Sequence, residues 1–179
     1  MSSNPSYRMD FQGSLIEELG LKQYDRISAV VAELVANSYD ADATEVTIEV
    51  PLNKYLATMN DGELQQKGYK VKVKDNGHGM NPDEADEKFL RVGRKRREES
   101  EKRSPKYNRR VMGRKGIGKL APFGLCKKIE IRSAGGEETD KGYEVSHFEM
   151  NYEDIKDNEE GYEPEILEDD GEFDDESGT

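Results

Sequence analysis

Three short stretches carry residue types whose spacing could do chemistry. The first is AELVANSYDADAT, residues 32–44. On a helical wheel of about 100° per residue with Ile27 at zero, Val30, Val31, Leu34 and Val35 fill an apolar arc from about 300° through zero to about 80°. Glu33, Asn37 and Asp40 fall at about 240°, 280° and 220°, along one edge of that arc. An acid, an amide and a second acid therefore line one strip beside the buried face, as the wall of a pocket between helix and sheet would. An ordinary polar boundary has the same pattern.

The second stretch is VKDNGHGM, residues 73–80. Alternation puts Val71, Val73 and Asp75 on one face of a strand, so Asp75 is partly buried and must find donors. The amino group of a purine ring would be one. Gly77 and Gly79 permit positive φ and let a flat ligand approach the backbone, and Met80 offers a soft apolar wall. His78 is expected to face solvent. Standing alone, the stretch also reads as a tight turn capped by Asp75.

The third is GRKGIGKLAPFG, residues 113–124. Gly113 to Lys119 fits the G-x-x-x-x-G-K phosphate loop, but Leu120 stands where a Ser or Thr must hold magnesium. Gly116, Gly118 and Ala121 fit G-x-G-x-x-A, but no strand precedes them and no βαβ unit follows. What remains is a glycine-rich loop opening a short helix, whose free N–H groups suit an anion. Lys119 adds charge there. A basic linker is the plainer alternative.

The elements that must position these residues follow from periodicity. A helix is predicted from Tyr24 and a strand over 43–50, with Val46, Ile48 and Val50 inward. Residues 51–68 read as a loop and 69–75 as a second strand. Asn81-Pro82 starts a helix that runs through Phe89-Leu90. A long charged connection over 91–120 reads as a functional lid or a disordered segment. KKIEIRS and GYEVSHFEMN are predicted to form a hairpin about a Gly135-Gly136 turn, and no element is predicted past Tyr152. This order implies an α+β fold, a two-layer sandwich with helices on one face of a mixed β-sheet.

The chain has 179 residues, enough for one domain with a real core. Its net charge of −12 conceals a segregation. Lys88 to Lys119 holds fourteen Lys/Arg against three Glu, whereas Glu137 to the end holds nineteen acids and two lysines. The basic stretch could meet phosphates. A single cysteine, Cys126, excludes an internal disulfide framework, and with only His78 and His147 beside it a zinc site is excluded too. No stretch approaches a membrane span and the N-terminus lacks a signal-peptide layout, so a cytoplasmic protein with no membrane partner is expected.

ELVANSYDADAT, VKDNGHGM and GRKGIGKLA, in that order, resemble the ATP-binding domain shared by gyrase B, the heat-shock chaperones of about ninety kilodaltons, histidine kinases and MutL (the GHKL or Bergerat fold). The resemblance covers roughly Tyr24 to Met150. It implies that Glu33 is the general base that activates water, and that Asn37 coordinates magnesium, with Asp40 beside it. It implies that Asp75 accepts a hydrogen bond from the adenine amino group, with Gly77, Gly79 and Met80 against the ring. Gly113, Gly116 and Gly118 would belong to the lid over the phosphates, with Lys119 nearby. The cofactors implied are ATP and Mg2+. Because Glu33 is present and no histidine precedes the domain, the chain looks closest to the MutL-like, MORC-like and chaperone-like branches, in which ATP closes the lid and the domains form homodimers.

The organisation expected is an N-terminal arm over 1–13, the ATP-binding domain over 14–152 with its lid at 91–120, and an acidic flexible segment over 153–179. In the family a Gly-Thr pair opens the last strand and its Thr helps bind adenine. The resemblance makes Thr179 that residue, in a fold truncated before its final strand. The function implied is ATP hydrolysis by a lid-gated module of a larger machine of DNA-repair, chaperone or defence type. The alternatives are a non-hydrolysing nucleotide-dependent switch, or a nucleic-acid-binding module that contacts DNA through residues 88–119.

Overall fold

A computed structural model describes residues 26–51, 57–61, 63–66, 68–90, 103–113, 118–157 and 161–179. The expected N-terminal arm, and residues 91–102 and 114–117 of the expected lid, lie outside the described residues. Helix α1 spans Ile27–Asp40 and is followed by strand β1, Val46–Glu49. Its end is a left-handed cap: Ala43 N–H donates to Ser38 O (3.0 Å) and Asp42 N–H to Tyr39 O (3.1 Å), with Asp42 at φ 64°. Val30 is buried, but Ile27 is 42% exposed, so the apolar stripe is only partly covered.

Strand β1 pairs antiparallel with β4, Lys72–Asp75, in the register Val46↔Asp75. Along 71–75 burial alternates as expected, with Val71, Val73 and Asp75 on the covered side. Strand β1 departs from expectation, because Ile48 and Val50 are both exposed. The stretch read as a loop over 51–68 holds a hairpin of β2, Ala57–Asn60, and β3, Glu63–Gln66. Its signal was present: Asp61-Gly62 between Asn60 and Glu63 is a favoured two-residue turn, and Asp61 has φ 49°. Low apolar content on either side hid it.

Helix α2, Pro82–Glu84, starts on a reciprocal cap: Asn81 Oδ1 accepts from Glu84 N–H (2.8 Å), and Glu84 Oε2 accepts from Asn81 N–H (3.4 Å). It winds on as a π-helical stretch, Ala85–Leu90. A 3-10 helix covers Gly118–Gly124. Strands β5, Lys128–Thr139, and β6, Gly142–Asn151, form the main hairpin. Its turn is Asp140-Lys141, not Gly135-Gly136. The glycine pair instead lies inside β5 at a register shift, where Gly136 has φ 83°. A side chain on Gly135 would collide with the backbone at His78, Gly79 and Met80, at 2.4–2.6 Å, so β5 runs directly against the DNGHGM turn.

The acidic segment, predicted to lack elements, carries helix α3, Tyr152–Asp157, and strands β7, Glu165–Ile166, and β8, Phe173–Asp174. Both strands pair antiparallel with β6. Acid density misled the reading because the carboxylates find cations across the sheet: Arg132 donates to Asp169 (2.7 Å) and Asp174 (2.8 Å). Beyond β8 the chain enters the gap between β4 and β5. Gly178 exchanges both backbone hydrogen bonds with Ala134 of β5 (2.9 and 3.0 Å), and Thr179 O accepts from Asp75 N–H (2.7 Å).

The core lies between the β5–β6 hairpin and the helices: Leu90, Leu120, Phe123, Ile131, Phe148, Met150 and Ile155, closed by Tyr162. The Tyr162 hydroxyl accepts from Asn151 N–H (2.9 Å). The α+β class holds, and every described strand pair is antiparallel. Among the described residues no helix is long and apolar enough to cross a membrane.

The Asp169 cluster gives a pH prediction. Hydrogen bonds from Arg132 and then His147 hold the Asp169 carboxyl down at about 2 from the ordinary 3.8. A depressed carboxylate contributes stability that is present above its unfolded value and lost as pH falls through the folded one. The contribution therefore fades between about pH 4 and about pH 2. Partial exposure limits it to roughly 1 kcal/mol or less. Thermal melts from pH 5 to pH 2.5 should show the gap between wild type and Asp169→Asn closing across that window; a constant gap would refute the linkage.

Candidate functional site

The site grows from the joint where α1 and β4 meet. Ser38 is buried on α1, and its hydroxyl donates to Asp75 Oδ2 (2.7 Å), with the Leu34 carbonyl 3.1 Å away. Asp75 Oδ1 accepts from Gly77 N–H (2.9 Å). The carboxylate is thus aimed by two donors of its own chain, and an oxygen has more than one lone pair to offer. Asn76 clamps the other side, its Oδ1 accepting from Thr44 N–H (2.8 Å) and Glu45 N–H (2.9 Å).

The glycines of this turn are required by close backbone neighbours. A side chain on Gly77 would meet Ala41 O at 2.6 Å, and one on Gly79, at φ +61°, would meet Ala134 O at 1.8 Å. Protein backbone thus stands where a side chain would at both positions. Met80 is half-buried, its N–H donating to Ser133 Oγ (2.9 Å) and its carbonyl accepting from Ser146 Oγ (3.1 Å). Thr179 stands next to this group, its Oγ1 2.7 Å from Ser133 Oγ. His78 is exposed, as expected.

Glu33, Asn37 and Asp40 share one edge of α1. Asp40 accepts from Met112 N–H (2.7 Å) and Gly113 N–H (2.9 Å), which brings the glycine-rich stretch to the helix. A side chain on Gly118 would stand 2.5 Å from Glu33 Oε2, so the 3-10 helix begins directly against that carboxylate. Lys119 lies over the Phe89 ring (5.5 Å) and donates to Lys88 O (3.2 Å). Every predicted site residue except Gly77 and Gly116 lines one broad cleft. Gly77 is buried beneath it. Gly116 lies outside the described residues.

Two residues of this region escaped the sequence reading. Asp42 is 3% exposed and accepts from Ser104 Oγ (2.5 Å), Lys106 N–H (2.7 Å) and Tyr107 N–H (3.2 Å). Arg109 lies between the rings of Tyr39 (4.9 Å) and Tyr107 (4.8 Å), and its Nη1 donates to Ala43 O (2.7 Å). An aspartate at the helix end and an arginine in a basic run carry no local signal for this pairing.

A family model described as histidine kinase-, DNA gyrase B-, and HSP90-like ATPase matches residues 24–179. The chain belongs to this ATPase family. Its curated relatives include "Putative type II restriction enzyme HgiDII" of Herpetosiphon aurantiacus, 36% identical over 131 residues, which are 73% of this chain and 18% of that protein. They also include the DNA mismatch repair protein MutL of Exiguobacterium sp., 40% identical over 68 residues, and that of Exiguobacterium sibiricum, 38% identical over 68 residues. Those matches take in 37% of this chain and 9% of each MutL. The chain thus spans less than a fifth of the length of each relative.

The donor set fits the ligands this family implies. Among the described residues no side-chain hydrogen bond engages the Asn37 amide or the Glu33 carboxylate, and both line the cleft. An amide oxygen flanked by carboxylates suits a hard divalent cation. No three His, Cys, Asp or Glu side chains converge as metal ligands among the described residues.

Proposed function

We propose that this chain is the magnesium-dependent ATP-binding and ATP-hydrolysing module of a larger DNA-acting machine, gated by the lid. The observation that carries the reading is Asp75. Its carboxylate ends β4 beside Thr179, is held by Ser38, and opens onto the same cleft as Glu33 and Asn37. Asp75 accepts a hydrogen bond from the adenine amino group, and Thr179 lies beside the same ring edge. Asn37 holds magnesium through its amide oxygen, and that ion supplies charge neutralisation along the phosphates. Glu33 takes the proton of the attacking water. Met112 and Gly113, with the rest of the lid, cover the phosphates and exclude bulk water.

Kinship with proteins named as a restriction enzyme and as MutL supports a DNA-acting machine over a chaperone. In the whole protein the module works as an ATP-closed homodimer whose basic 88–119 stretch contacts DNA.

Calorimetric titration with a non-hydrolysable ATP analogue and magnesium tests the reading. Wild type is expected to bind one nucleotide per chain, and Asp75→Asn to bind it about tenfold or more weakly, because an ionised acceptor is lost. An unchanged affinity in the variant, or no binding by a folded wild-type chain, would overturn the reading.

A further inference from the structure

We propose that Asp42 is a positioning residue for the lid. It anchors residues 104–109 to the end of the helix that bears Glu33 and Asn37, and so sets where Met112 and Gly113 stand over the cleft. This rests on the nucleotide reading above.

The position of Asp42 is unfavourable on three counts. It is the left-handed residue of the α1 cap, at φ 64°, where glycine is the usual choice. Its carboxylate is buried, which costs free energy unless donors replace water. It also sits at the C-terminal end of a helix, where the backbone dipole disfavours negative charge. Glycine would relieve all three at once if the residue served only to end the helix.

The donors that offset these costs come from one place. Ser104 Oγ, Lys106 N–H and Tyr107 N–H all donate to Asp42, and Arg109 Nε stands 4.0 Å away. Burial pushes the carboxyl up, but these hydrogen bonds and the Arg109 charge more than offset it and hold it below the usual range. The segment is self-braced. Ser104, itself buried, accepts from Arg109 N–H through its hydroxyl (2.9 Å) and through its backbone donates to Arg109 O (2.8 Å), while Arg103 and Arg110 pair across the base. Two and three residues beyond Arg110, Met112 and Gly113 donate to Asp40. Asp42 thus holds the braced 103–110 loop, and Asp40 holds Met112 and Gly113, just beyond its base, at the cleft. With that loop released, the two hydrogen bonds to Asp40 are all that the described residues give Met112 and Gly113.

Two variants separate the carboxylate from the backbone. Asp42→Gly removes the side chain and tolerates φ 64°; Asp42→Asn tolerates the same φ and keeps one acceptor oxygen. Amide hydrogen exchange without nucleotide should show Met112 and Gly113 exchanging about tenfold or more faster in Asp42→Gly, with Asp42→Asn between it and wild type. Neither amide bonds to Asp42, so a purely local cap would leave both unchanged, and that result would overturn the anchor. In titrations, affinity for the ATP analogue should fall about tenfold or more in Asp42→Gly while ADP affinity changes less, because the lid covers the terminal phosphate. An unchanged ATP-to-ADP affinity ratio in a chain that binds both would overturn the positioning role. If wild type binds neither nucleotide, the nucleotide reading and the role built on it fall together, while exchange still judges the anchor by itself.

Discussion

Glu33→Ala is expected to lower ATP turnover by about two to four orders of magnitude while the nucleotide still binds. The carboxylate projects from α1 at the cleft, against the first residue of the 3-10 helix, with no hydrogen-bond partner among the described residues. A group left unengaged in this way is available to take a proton from water. Glu33→Gln sharpens the test, because the amide keeps the shape but cannot accept the proton. Phosphate release and analogue titration, measured on wild type and both variants, give the answer. Turnover near wild type in Glu33→Gln would sink the general-base role. Background turnover in wild type, with tight magnesium-dependent binding, would favour the non-hydrolysing switch.

The second large effect concerns the joint beneath the site. Gly79→Ala is expected to destabilise the fold by about 2 to 5 kcal/mol, adding left-handed strain to a collision. At φ +61° the new Cβ would stand 1.8 Å from Ala134 O. That carbonyl cannot swing away freely, because it accepts from Gly178 N–H while Ala134 N–H donates back to Gly178. Relief therefore requires moving β5 or expelling Gly178, and expelling Gly178 would displace Thr179 from Asp75. Gly171→Ala is the control: φ is +79° there, but nothing lies within 4 Å of the added carbon, so only the strain of about 1–2 kcal/mol remains. Urea unfolding of both variants measures the difference. Equal losses would show that the collision at Gly79 relaxes without cost.

Much of the structure was legible wherever a few neighbouring residues decide the outcome. The spacing of Val30, Val31 and Leu34 makes α1, the Asn81-Pro82 pair starts α2, and the alternation of Val71, Val73 and Asp75 makes β4. The three motifs named the family before any fold was known, and the family match agrees. The β2–β3 hairpin was legible too, but only through Asp61-Gly62, since its strands carry little apolar signal.

Elsewhere glycines were legible as special, but the neighbours that make them so were not. At Gly77 and Gly79 the close approach that excludes a side chain is that of Ala41 and Ala134. Gly135-Gly136 looked like a turn and proves to be a close approach of β5 to the DNGHGM turn. A glycine announces that no side chain fits, but the sequence does not say which atoms exclude it.

By itself the sequence determined α1, β4 and the start of α2, the family, and the set of polar groups along α1 and at the end of β4, because periodicity, caps and motifs act within about a dozen residues. Only the tertiary structure decided which chain segments meet. It placed Ser177 Oγ on Gly77 O, a hundred residues away (2.9 Å), set Thr179 beside Asp75, and buried Asp42 under residues 104–109. Such contacts are selected by packing and by the need to satisfy every buried donor and acceptor at once, conditions that no local window contains.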